Sequence, residues 1–248
     1  MTQEERNELA ELLFPNITKT REEYEEMYPE RDLPEGAMVT RYGPSPTGSV
    51  HLGNLLSAFA DMVYAKQTKG SFFLRIEDTD QKRKIDGGIE NITSILHDFD
   101  ILPTEGYSFG GNYGPYIQSE RTEIYQTYIK DLIVKGLAYP CFMTEEEQNN
   151  IKEEQAINKT KIGIYGMYAV DRDLSLEEVK EKLANNEEYV IRLKSPGNAN
   201  NQIEVIDCIK GKMKFPEHDM DTVLLKKDGT PTYHFAHVID DHLMHTTH

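Results

Sequence analysis

The apolar positions of this 248-residue chain alternate between short strand-like runs and helix-spaced stretches. Residues 37–42 read as a strand, and the turn-rich run Gly43-Pro44-Ser45-Pro46-Thr47-Gly48 follows. Leu52, Leu55, Leu56, Phe59, Met62 and Val63 then recur at helical spacing, with Gly70 as the stop. Residues 72–76 give a second strand, after which Asp86 is placed to cap a helix with Ile89, Ile92, Ile95, Leu96 and Phe99 on one face. Strand, helix, strand, helix predicts an α/β fold: a parallel sheet with right-handed crossovers and ligands beyond the carboxyl ends of its strands.

Further along, residues 119–135 predict a helix with Ile124, Tyr128 and Leu132 inward and Gly136 as its end. Thr144 with Glu147, and Ser175 with Glu178, have capping-box spacing and open two more helices. Residues 189–193 and 203–209 read as strands, and Val223–Leu225 is expected to pair with residues 232–235 around Asp228-Gly229. Helices followed by antiparallel strands suit an α+β insertion at 112–219, between two parts of a nucleotide-binding domain at 37–111 and 220–248. Residues 1–36 are rich in glutamate, with Leu9, Leu12, Leu13 and Phe14 able to line one short amphipathic helix. They are expected to form a solvated helical extension.

Charge changes this picture in one respect. With 27 Lys and Arg against 43 Asp and Glu, the net charge is −16, which excludes a protein that coats DNA or RNA generally. Only a clustered basic face, drawn for instance from Lys159, Lys161, Arg172, Lys194, Lys210, Lys212 and Lys214, would meet phosphates. Cys141 and Cys208 make neither a disulfide framework nor a zinc ligand set. No apolar run approaches the ~20 residues of a membrane helix, and the opening residues lack a secretory pattern. A soluble, cytoplasmic protein without membrane contact is expected.

The candidate chemistry sits at the two strand ends. The Gly- and Pro-rich loop delivers His51 to the mouth of a helix, where unpaired N–H groups and positive potential suit phosphates. Pro44, Thr47, Gly48, His51, Gly53 and Asn54 are therefore candidates for a nucleotide site. Arg41 offers a fork of donors for a carboxylate, and Glu77 an acceptor for an ammonium group. The structural alternative is that Arg41 and Glu77 bridge to each other. Asp78, Asp80, Asp240 and Asp241 could suggest a metal cage, but Mg²⁺ in such sites leans on substrate phosphates, so Asp78 and Asp80 are expected to fix the loop instead. His242, His245 and His248 are spaced by three without supporting ligands, and no metal site is expected there.

Pro44-Ser45-Pro46-Thr47-Gly48, His51-Leu52-Gly53-Asn54 and Arg75-Ile76-Glu77-Asp78-Thr79-Asp80 together resemble the bacterial-type glutamyl-tRNA synthetases. Gln118–Arg121, residues 138–142, 228–234 and 240–244 continue the likeness over most of 38–248. The resemblance implies a Rossmann-like catalytic domain interrupted by an insertion that binds the acceptor end of tRNA. It implies ATP-dependent activation of glutamate and its ligation to the 3′ end of tRNA(Glu), with ATP and Mg²⁺, no zinc, no DNA partner, and a monomeric state. His51, Gly53 and Asn54 would be catalytic and Arg41 would hold the γ-carboxylate. Ser45 and Glu77 would lie near the α-amino end, with Tyr233 and His237 completing the pocket. Asn54 departs from the second histidine common in class I synthetases, and His237 replaces an asparagine found in many members. Residues 1–36 precede the family's usual start, and its downstream lysine-rich loop does not appear before His248, so the chain reads as a front portion inactive alone. The competing expectations are a glutamyl-queuosine tRNA synthetase, whose three-cysteine zinc site two distant cysteines fit poorly, a small-molecule nucleotidylyltransferase, and a non-catalytic remnant binding nucleotide or tRNA. Pro44-Ser45-Pro46 and Glu77-Asp78-Thr79-Asp80 favour glutamate over glutamine.

Overall fold

In chain order the helices are α1 (Gln3–Leu13), α2 (Arg21–Met27), α3 (Leu52–Thr68), α4 (Gly88–Asp98), α5 (Thr122–Val134), α6 (Glu145–Ile157), α7 (Leu176–Ala184) and α8 (Tyr233–Leu243). The strands are β1 (Val39–Tyr42), β2 (Ser71–Leu74), β3 (Glu105–Gly106), β4 (Ala138–Cys141), β5 (Val190–Leu193), β6 (Gln202–Asp207), β7 (Gly211–Pro216) and β8 (Val223–Leu225). The structure, a computed structural model, describes residues 1–48, 50–80, 83, 85–207 and 209–248; Cys208 lies outside the described residues. By contacts the chain forms two units, one of residues 1–18 with 128–229 and one of residues 19–127 with 230–248.

In the second unit β1, β2 and β3 make a parallel sheet in that order, with Val39 opposite Ser71 and Tyr42 opposite Leu74. This is the expected α/β pattern, α3 and α4 being the crossovers. Phe72, Phe73 and Leu74 are all buried, the continuous apolar run of a strand covered on both faces. The periodicity of α3 is as predicted, but its buried face is different. Leu55, Ala58 and Ala65 pack inward, whereas Leu52, Leu56 and Phe59 are exposed. Small alanines let the helix backbone approach the sheet, which the count of large apolar residues did not anticipate. α4 buries Ile89, Ile92 and Leu96 as expected, but Gly87, not Asp86, caps it. Its φ of 73° lies in the left-handed region, which glycine enters without a Cβ penalty.

In the first unit β4, β5 and β8 form an antiparallel sheet, and β6 and β7 a separate hairpin. Both predicted capping boxes form, Thr144 and Ser175 accepting from the Glu147 and Glu178 amides. The expected pairing of Val223–Leu225 with residues 232–235 does not occur. β8 pairs with β5, and residues 233–235 open α8. In this unit's part of α5, Ile129 and Ile133 are buried, whereas the predicted Tyr128 and Leu132 are only partly buried.

Residues 1–36 are not a solvated extension. Leu9, Ala10, Phe14, Ile17, Tyr24 and Tyr28 are buried. In the first unit Lys130 Nζ reaches the Ile17 carbonyl at 2.7 Å, and Lys180 pairs with Glu8 at 2.7 Å. In the second, Tyr28 donates to the Gly114 carbonyl at 2.8 Å, and Arg31 pairs with the buried Glu105. Their glutamates are solvated while a narrower apolar face packs. Among the described residues no helix is long and apolar enough to cross a membrane.

Candidate active site

The parallel pairing of β1 and β2 continues beyond the strands. Arg75 N–H donates to the Tyr42 carbonyl at 3.0 Å and Glu77 N–H to the Pro44 carbonyl at 2.9 Å, so both strand tips are held side by side. Gly43 lies against both predicted substrate groups. A Cβ there would collide with Glu77 Oε1, standing 2.8 Å from Glu77 Cδ and 3.3 Å from Arg41 Nη1. Only a residue without a side chain admits both groups. Gly43 was missed as a site residue, although a glycine directly after a strand was its signal.

Arg41 and Glu77 do not bridge to each other. Arg41 Nε donates to Asp241 Oδ1 at 2.8 Å, and Arg41 Nη2 meets His237 Nδ1 at 2.8 Å. The fully buried Arg75 donates Nη2 to Glu77 Oε1 at 2.9 Å and Nη1 to the same Asp241 oxygen at 2.8 Å. His237 stands 3.4 Å from Asp241 Oδ2, and Tyr233 stacks on its ring at 5.7 Å with an interplanar angle of 11°. Arg41, Glu77, Tyr233 and His237 are thus brought together through Arg75 and Asp241. Behind them Asp240 is fully buried and accepts from Arg121 Nε at 2.7 Å and from Gln118 and Tyr125 at 2.8 Å each.

The electrostatics follow from these partners. Burial pushes the Asp241 carboxyl up, but Arg75 and Arg41 outweigh it and hold it below the usual carboxylate range. Asp61 on α3 is the opposite case: burial lifts it to about 6, with Arg41 acting only partly against this. Among the described residues Arg41 Nη1 and Glu77 Oε2 engage no protein group. One donor of a guanidinium and one acceptor of a carboxylate are therefore available beside Gly43.

His51 is the N-cap residue of α3 and is exposed. A Cβ on Gly53 would stand 3.2 Å from both Cε1 and Nδ1 of His51, so glycine lets the imidazole lie over the first turn. Asn54 Oδ1 accepts the His51 N–H at 3.1 Å, which gives Asn54 a positioning contact at the loop–helix junction. Ser45 and Gly48 are exposed and Thr47 half-buried. No hydrogen bond among the described residues joins His51, Ser45 or Thr47 to the Arg41 cluster.

The acidic clusters are engaged elsewhere. Asp78 accepts the Ser119 N–H and hydroxyl at 2.8 Å each, and Asp80 pairs with Arg83 at 2.6 Å. With Asp240 and Asp241 held by arginines, these carboxylates do not fit a protein cage for Mg²⁺. The three histidines diverge, His242 to Glu25, His245 to the Tyr28 carbonyl and His248 to Thr247. Several cations of the insertion are neutralised locally: Lys161 by Asp219, Arg172 by Asp221, Lys194 by Asp173 and Lys212 by Glu204.

The chain is 51% identical over 243 residues to the glutamate–tRNA ligase of Clostridium beijerinckii, a match covering 96% of this chain and 44% of that protein. It is 52% identical to that of Acetivibrio thermocellus, over 97% of this chain and 45% of the relative. The chain therefore spans less than half the length of these curated relatives. Such coverage takes in most of residues 1–36, which are thus no departure from these relatives. A crystal structure of a glutamate tRNA ligase from Elizabethkingia meningosepticum in complex with its amino acid superposes with a TM-score of 0.76 at 40% identity, covering 86% of this chain and 43% of that one. The family described as tRNA synthetases class I (E and Q), catalytic domain, matches residues 37–248, and the chain belongs to it.

Proposed function

We propose that this chain supplies the ATP- and glutamate-binding part of a glutamate–tRNA ligase, which activates glutamate with ATP and transfers it to the 3′ end of tRNA(Glu). The observation that carries this reading is the placement of Arg41 and Glu77 together against the Cβ position of Gly43, each with an unengaged polar atom, in a chain of this family. Arg41 Nη1 takes the γ-carboxylate, Glu77 faces the α-ammonium, Ser45 reaches the same end, and Tyr233 with His237 forms the wall. The relatives' name and the amino acid bound in the Elizabethkingia protein support this.

The triphosphate lies against the start of α3. There the amides of Leu52 and Gly53 donate to no protein group among the described residues, and His51 stands at the cap. Pro44, Thr47 and Gly48 form the loop facing it, and Asn54 holds the His51 backbone. In the first step an oxygen of the α-carboxylate attacks the α-phosphorus and the bond to pyrophosphate breaks. In the second, a hydroxyl of the terminal ribose attacks the acyl carbon and AMP leaves. No protein nucleophile takes part. The residues align the two substrates and place donors where charge develops. Mg²⁺ bound with the triphosphate would add neutralising charge.

Residues 37–111 with 220–248 form the catalytic part on this reading, 112–219 meets the acceptor end of tRNA, and the protein acts as a cytoplasmic monomer. The test is binding of a non-hydrolysable glutamyl-adenylate analogue by calorimetry. It should bind at least about tenfold more tightly than ATP or glutamate, because it joins both sites. Equal affinity for the glutaminyl analogue would overturn the reading.

A further inference from the structure

Residues 28–31 grip the end of α8, the helix that carries Asp240 and Asp241. Arg31 Nε donates to the Met244 carbonyl at 2.8 Å, while its Nη1 pairs with the buried Glu105 on β3. The guanidinium lies over the Tyr113 ring at 3.8 Å, and the Tyr113 hydroxyl donates to the Pro29 carbonyl at 2.8 Å. His245 meets the Tyr28 carbonyl at 2.8 Å through Nε2, which carries the proton because a carbonyl only accepts. All of these groups belong to the second unit.

The gripped turn is one that the helix does not fix alone. The His245 N–H reaches the His242 carbonyl at 3.1 Å and the Thr246 N–H the Asp241 carbonyl at 2.9 Å, the double closure of a helix ending in the left-handed conformation. Glycine usually takes that place, but here it is His245, with a φ of 53°. A residue with a Cβ stays there where its surroundings hold it. The Tyr28 carbonyl does so, together with the Tyr113 ring, which the imidazole meets edge to face at 5.9 Å.

Met244 connects this turn to the candidate site. It is fully buried, with its carbonyl on Arg31 and its sulfur 3.6 Å from Arg75 Nη1. The same Nη1 donates to Asp241 Oδ1, the oxygen that holds Arg41 Nε. We propose that Arg31 is a positioning residue for the site: by holding the Met244 carbonyl it fixes the last turn of α8, and with it the Asp241 carboxylate that aims Arg41. Segment 28–31, which precedes the residues matched by the family, thereby supports the pocket. Its effect on substrate rests on the function proposed above; the bracing of Arg41 does not.

The test is hydrogen exchange at the Arg41 Nε–H, followed by NMR in the ligand-free full chain and in Arg31→Lys. Lysine keeps a positive charge beside Glu105 but lacks the planar fork that reaches two acceptors on different elements. Arg41 exchange should quicken at least about tenfold while the α4 amides, in the same unit, keep their rates; a general loss of stability would quicken both. Glutamate, titrated calorimetrically, should bind the variant at least about threefold more weakly, and this difference should vanish in an Asp241→Asn background, because Arg31 acts through Asp241. Unchanged Arg41 exchange, equal quickening in α4, or an effect of Arg31→Lys on glutamate that survives in Asp241→Asn would each overturn the proposal. If the unaltered chain binds no glutamate while Arg41 exchange responds as expected, the proposed function fails and the brace stands. Should Arg31→Lys not fold, Arg31→Met combined with Glu105→Gln takes its place, since it removes both charges of the pair together.

Discussion

Asp61 offers the sharpest energetic prediction. Its carboxylate accepts no protein hydrogen bond among the described residues, while its backbone carbonyl holds the Thr40 hydroxyl at 2.8 Å. Burial raises the carboxyl from 3.8 to about 6. The folded value lies above the unfolded one, so the folded chain retains its proton longer. The contribution of Asp61 to stability is then greatest below about pH 4, falls as pH rises to about 6, and stays lower above. The difference, 6 − 3.8 = 2.2, corresponds at ~1.4 kcal/mol each to a ceiling of about 3 kcal/mol. Asp61 is only partly buried, and solvent screening reduces this to roughly 1–2 kcal/mol. Asp61→Asn keeps the shape and removes the ionisation. Urea unfolding should show the variant stabilised by about 1–2 kcal/mol near pH 7.5 and nearly unchanged near pH 4. A variant with the same pH dependence as the parent, or one destabilised at neutral pH, would refute the assignment.

Other substitutions probe the remaining elements. Gly43→Ala should displace Glu77 and Arg41 and weaken the adenylate analogue by at least about tenfold in calorimetry, with little change in secondary structure by circular dichroism. Glu105→Gln breaks a buried pair with Arg31 and weakens the bonds from Ser71 and Tyr116, and should lower unfolding free energy by about 3 kcal/mol in urea titration. Ser175→Ala removes the cap of α7 at a cost of about 1 kcal/mol, readable in the same assay. His51→Ala, at an exposed position, should weaken ATP binding measured by fluorescence competition while leaving the thermal midpoint unchanged.

What the sequence made legible was what is coded locally. The β1–α3–β2–α4 order, both capping boxes and the Gly136 stop each rest on residues a few positions apart. The failures share one cause, which is tertiary competition. Asp228-Gly229 is a good turn signal, but the partner of β8 comes from β5, more than 30 residues earlier. The inward face of α3 is chosen by Ala58 and Ala65, whose small size matters only against a sheet. In the candidate site, Arg41, Glu77, Tyr233 and His237 were read from motif and resemblance. The pairing that joins them, Arg75 to Asp241 across 166 positions, had no local mark. The burial of residues 1–36 escaped for the same reason, since Tyr28 and Arg31 find their partners at Gly114 and Glu105.

The seat formed by Arg41 and Glu77 around Gly43 is tested most directly by titrating glutamate and glutamine, calorimetrically, into the chain and into a folded Arg41→Gln variant. The unaltered chain should prefer glutamate, and the variant should lose that preference because a neutral amide replaces the charged Nη1 donor. A variant that still selects glutamate over glutamine to the same degree would contradict the assignment of Arg41 to the γ-carboxylate.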